Sequence, residues 1–161
     1  MSWCGRTDRD ACCDGPHGPV DGHENVARLL HEAIIDPDRA AFTRRDLAAH
    51  KIAEPSNVCG DADGCSVDRM IQLNEDDVAA RSKAYAAEKP GRVAAGAVIA
   101  SVADLRGIRH PSIQGQAVFV YDDPRAANDL HAVVRLSDEV PRSDFKLMQR
   151  KVIDAFRRKV A

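Results

Sequence analysis

The chain has 161 residues, 44% of them hydrophobic and 30% charged, with a formal net charge of -2. That length suits one domain with a real hydrophobic core, and the composition excludes wholesale disorder. The near-neutral balance excludes a global pull toward nucleic acid or an anionic membrane.

In chain order, residues 1–22 predict an irregular arm, since they hold four glycines, two prolines and almost no apolar periodicity. The start, Met1–Asp8, lacks the apolar run of a signal peptide, so a soluble, cytoplasmic protein is expected. All five cysteines (Cys4, Cys12, Cys13, Cys59 and Cys65) fall in the first 65 residues. In a reducing compartment such thiols point to metal ligands before disulfides.

A single α+β domain is expected over residues 23–161. Val26, Leu29, Leu30, Ala33 and Ile34 recur at helical spacing and predict a helix near 24–35, ended by Asp36-Pro37. A second short helix is expected at Thr43. Turn chemistry dominates from Lys51 onward, with a short strand over Cys65–Ile71. Asn74 caps a predicted helix near 75–89, which Pro90-Gly91 stops.

The period then changes. Three strands are predicted near 93–102, 116–121 and 130–136. The loop from Asp122 to Asp129 has a length that suits antiparallel neighbours. Pro141 opens a final amphipathic helix near 142–159 that buries Phe145, Met148, Val152 and Phe156. Helices first, strands next and a closing helix give an α+β domain around a small, mainly antiparallel sheet.

Three patterns are candidates for chemistry. Cys13 and His17 have three residues between them, and the Gly60–Gly64 loop separates Cys59 from Cys65. Together they supply the donors of a Cys₃His zinc site that would clip the arm to the middle of the chain, although no CxxC is present. The second pattern is Asp122, Asp123, Asn128, Asp129 and His131, crowded at the end of one strand and the start of the next. Carboxylates beside an imidazole suit acid–base work or a divalent ion, and the same residues are ordinary turn formers. A thiol nucleophile at Cys65 served by His131 is a weaker alternative, because it rests entirely on whether the two meet.

The third pattern is basic. Residues 141–161 carry seven Lys and Arg against two Asp. On a continuous helix, Arg142, Lys146, Arg150 and Arg157 fall within an arc of roughly 80°. Such a stripe can contact phosphates or an acidic protein surface, and no aromatic stacking platform accompanies it. Asp68 and Arg69 face opposite ways if their segment is a strand, so one of them needs a buried partner.

No nucleotide-binding, metalloprotease or serine-hydrolase signature is present. The leading expectation is therefore a non-catalytic intracellular module, zinc-stabilised, that binds another macromolecule through its basic C-terminal helix. The alternative is a small hydrolase or nucleic-acid-processing enzyme using Asp122, Asp123 and His131, with Arg45 or Arg69 holding an anion.

Overall fold

The computed structural model describes residues 15–31, 35–36, 41–42, 65–88, 90–137 and 139–160. Six strands form one antiparallel sheet: β1 (Asn25–His31), β4 (Cys65–Arg69), β5 (Ala94–Ser101), β6 (Val118–Asp122), β7 (His131–Leu136) and β8 (Arg158–Val160). Their spatial order is β6-β7-β4-β1-β5-β8, and two short strands, β2 (Ile35–Asp36) and β3 (Ala41–Phe42), pair separately. Helix α1 (Glu75–Ala87) covers one face over β1 and β5. On the other face, α2 (Val102–Arg106) and α3 (Phe145–Ala155) close the main core with Leu105, Met148, Val152 and Phe156. The α+β class and the antiparallel sheet thus agree with the sequence pattern. No helix among the described residues is long and apolar enough to cross a membrane.

The segment expected as a helix near 24–35 is instead β1 at the centre of the sheet, as far as it is described. The physical reason is that both of its sides are covered. Val26 and Leu30 enter the main core, while Ala27 and Leu29 pack in the smaller cluster with Val78 of α1. A strand buried on both faces loses its alternation, so its apolar residues imitate a helical repeat. The short helix expected at Thr43 lies outside the described residues.

Helix α1 starts as its sequence dictates. Asn74 and Asp77 exchange side-chain-to-backbone hydrogen bonds of 2.9 Å, and Val78, Ser82 and Ala86 form its buried stripe. Opposite Leu30, strand β5 carries an extra residue, since Leu29 pairs with Ala97 but His31 with Ala94. Gly96 sits in this bulge at φ 81°, a conformation costly to any residue with a Cβ. The Ser82 hydroxyl donates to its carbonyl at 2.7 Å.

The C-terminal helix is shorter than expected. A 3-10 turn over Arg142–Asp144 leads into α3, which ends at Ala155 rather than near 159. Phe156, only 4% exposed, anchors the exit, and the following residues add β8 to the edge of β5. Pairing there satisfies backbone groups that a longer helix would leave open on β5.

The end of the expected arm reaches the domain. Val20 is buried in the main core, and a turn closed by the Gly18 N–H and Gly15 carbonyl (3.0 Å) precedes it. With φ 67° at Gly18, the chain turns so that the carbonyls of Gly18 and Pro19 both reach Arg69.

Candidate functional site

Register decides which polar groups meet. Val26 pairs with Arg69, and Ala27 pairs with Asp68, which in turn pairs with His131. The Asp123 N–H donates to the His131 carbonyl at 3.1 Å, extending the same row past β6. Successive strand residues face opposite ways, so Asp68 parts from Arg69 and Asp123 from Asp122. Two separate polar clusters result, one on each face.

On the core face, Arg69 is 1% exposed and all its N–H donors are engaged. It donates to both Glu24 oxygens (2.9 and 2.6 Å), to Asp122 Oδ1 (2.9 Å) and to the carbonyls of Gly18 (2.7 Å) and Pro19 (3.1 Å). Burial alone would lower the Arg69 pKa, but the hydrogen bonds and charges of Glu24 and Asp122 outweigh it and hold the guanidinium charged. Asp122 is wholly buried, and among the described residues its Oδ2 has no hydrogen-bond partner. Burial therefore pushes its carboxyl above the ordinary range, with Arg69 pulling it only partly back. The cluster ties β4, β6 and the turn before β1 together.

On the opposite face, His131 is held by Asp123. Its Nδ1 lies 2.8 Å from the Asp123 backbone carbonyl and 3.0 Å from Asp123 Oδ2. A carbonyl oxygen only accepts, so Nδ1 carries the proton and the neutral ring presents Nε2 as its base. Asp123 is itself buried and receives Arg125 through Nε (3.0 Å) and Nη2 (2.6 Å). Among the described residues, Nε2 of His131 has no hydrogen-bond partner.

The His131 ring forms part of the wall of a cleft of about 340 Å³. The cleft opens over β1 and β4, bounded by Tyr85 of α1 on one side and Asn128 of the β6–β7 turn on the other; Arg28, Ser66 and Asp68 also line it. Asp68 is paired at both oxygens, with Arg81 Nε at 3.0 Å and Asn128 Nδ2 at 2.7 Å. Arg81 also donates to Asn128 Oδ1 at 2.8 Å, closing a triangle that fixes the turn against α1. The turn is tight, with Arg125 and Asn128 exchanging backbone hydrogen bonds of 2.9 and 3.0 Å.

Of the acid–base candidates, Asp123 and His131 come together, while Asp122 is drawn to Arg69 across the sheet. Asp129 lies apart, bonded to His17 Nε2 at 3.0 Å. Cys65 pairs in register with Val134 and sits in the main core, on the face opposite His131, so a Cys65–His131 catalytic pair does not form. Of the zinc candidates, Cys65 is buried in the main core and His17 bonds Asp129; Cys13 and Cys59 lie outside the described residues, as does Arg45. Among the described residues, no three His, Cys, Asp or Glu side chains are grouped to hold a metal ion.

Arg142, Lys146, Arg150 and Arg157 are all exposed, but Arg157 follows the end of α3, so they do not form the single helical stripe expected. Sequence reasoning missed Arg28. A lone cation within Val26-Ala27-Arg28-Leu29-Leu30 was a usable signal once the segment is a strand covered on both faces.

No protein-family model, curated protein or solved structure matches this chain.

Proposed function

We propose that the protein binds a small polar ligand in the cleft over β1 and β4, and that His131 moves a proton on it. The observation that carries this reading is the Asp123–His131 pair. A buried carboxylate and a backbone carbonyl hold Nδ1, leaving Nε2 as the nitrogen of this cleft-lining ring that is unengaged among the described residues. An imidazole oriented in this way acts as a general base and returns the proton as a general acid. Ser66 places a hydroxyl in the same wall, and Asp123 holds the tautomer through both phases. Of the classes open to this sequence, the reading supports a small hydrolase or related acid–base enzyme.

Two substitutions test it. With p-nitrophenyl acetate and p-nitrophenyl phosphate as probes, His131→Ala should lower turnover by about 100-fold or more, the usual contribution of a positioned acid–base group. Asp123→Asn should also lower it, because an amide in place of the carboxylate weakens the hold on Nδ1–H. Turnover of either probe that persists at the wild-type level in His131→Ala overturns the assignment.

A second reading has its own observation. Among the described residues, Arg142, Lys146, Arg150 and Arg157 have no carboxylate partner, and Leu147 beside them is 45% exposed. Free surface cations around an apolar residue suit an acidic partner protein. Binding that weakens with salt and is lost in Lys146→Glu/Arg150→Glu would support it.

A further inference from the structure

Strand alternation puts a hydroxyl on the same face as His131. Along β4, Cys65 and Val67 enter the main core, so Ser66 and Asp68 face the other way. Asp68 pairs with His131, and Ser66 pairs with Val133, two residues further along β7. Ser66 and His131 are therefore diagonal neighbours across one seam, about 7–8 Å apart and within reach of an aromatic side chain. The ring is also turned the right way. Strand β7 lies between β6 and β4, and Nδ1 bonds Asp123 on the β6 side. The two nitrogens of an imidazole point nearly opposite ways, so Nε2 leans to the β4 side, where Ser66 stands. Ser66 is exposed and lines the cleft, which leaves its side chain free to rotate.

We infer that Ser66 is the nucleophile of this cleft, activated by His131, and that the substrate is a small carboxylic ester. Ala27, Leu29 and Tyr85 give the cleft an apolar side for the acyl chain. Its volume of about 340 Å³ lies at the small end of ligand sites, which favours a short chain. Ser66 Oγ forms a bond to the acyl carbon, and its proton passes to His131 Nε2. The carbonyl oxygen holds the displaced electron pair until the bond to the alcohol breaks, and the alcohol leaves with the Nε2 proton. Water then bonds to the acyl carbon and gives Nε2 a proton, which Ser66 takes as the acid is released. The inference rests on His131 being an acid–base group, and it assigns that group a nucleophile and a substrate class.

The test treats the full chain with a fluorophosphonate probe and, separately, with p-nitrophenyl acetate quenched in acid within one turnover. Peptide mass spectrometry then locates the adducts. Native protein should carry the phosphonyl and the acetyl group on Ser66, and urea-unfolded protein should carry neither there. Ser66→Ala should lose both adducts and lower p-nitrophenyl acetate turnover by about 100-fold or more. His131→Ala should leave Ser66 unlabelled.

A wild type with no Ser66 adduct from either reagent overturns the inference, as does wild-type turnover in Ser66→Ala. The wild-type labelling decides even if a variant fails to fold. Failure here separates from failure of the proton-transfer reading. If Ser66→Ala keeps its turnover while His131→Ala loses it, His131 activates water directly and the Ser66 role falls. If Ser66 is still labelled in His131→Ala, the nucleophile stands and the His131 role falls.

Discussion

Arg69 and Arg28 lie on neighbouring central strands, yet their surroundings differ in kind. Arg69 has each N–H donor matched by a protein oxygen, two carboxylates among them, in a cluster closed to solvent. Among the described residues, Arg28 makes one hydrogen bond, from Nη1 to the Ser66 carbonyl, and its Nε is buried without a partner. Arg69 holds β4 to β6 and to the turn before β1, and it has nothing left to offer a ligand. Arg28 ties β1 to β4 through that single bond. Burial and charge alone do not rank two arginines as structural anchors; the fraction of donors already engaged does.

The largest expected effect comes from the closed cluster. Arg69→Met removes the cation between Glu24 and Asp122 and strands two carboxylates, so urea unfolding should show a loss of about 3–5 kcal/mol. A loss under about 1 kcal/mol would mean that the cluster does not hold the strands.

Arg28→Met comes next. The apolar stem is kept and one hydrogen bond is lost, so stability should fall by about 1 kcal/mol or less. A loss matching that of Arg69→Met would erase the distinction between the two arginines.

Asp122→Asn should be the smallest at neutral pH, within about 1 kcal/mol, because the amide oxygen still accepts from Arg69 Nη1 and the buried charge disappears. Its pH dependence has a definite sign. The native carboxyl holds its proton more tightly than the unfolded one, so this group's contribution is fully present below the ordinary carboxylate range. It is lost as pH rises through the raised native value. The stability of the wild type relative to Asp122→Asn should therefore fall with rising pH in urea melts. A difference that grows with pH would place Asp122 as a stabilising anion instead.

Much of the fold was legible because its signals are local. Asn74 and Asp77 announce α1, Pro141 marks the turn into α3, and the Asp122–Asp129 stretch reads as a connection between antiparallel neighbours. What failed depended on burial from both sides. Val26, Leu29 and Leu30 imitate a helix only because α1 covers one face of β1 and the main core covers the other. Arg157 and Arg158 extend a helical pattern on paper, while the open edge of β5 draws the chain into β8.

The candidate site was half legible. Asp122, Asp123 and His131 stand together in sequence, but strand alternation, invisible without the strand boundaries, sends Asp122 to Arg69 and leaves the other two as a pair. Glu24 as a partner of Arg69, and Arg28 as a member of the cleft, required knowing that β1 lies beside β4.

The central place of β1 also sets the order in which the protein can assemble. Val26 waits for Arg69 on one side and Ala100 on the other, so neither middle seam of the sheet can zip from a neighbouring turn. Within the six-stranded sheet, among the described residues, only β6 and β7 meet through a tight reversal, formed on about the microsecond scale of an isolated hairpin. The rest must close long loops before any pairing offsets the lost chain entropy, which places folding in about the millisecond-to-second range of non-local β topologies. Until β5 arrives, β1 has one edge open and its apolar residues uncovered, which makes this strand the segment most exposed to wrong partners during folding.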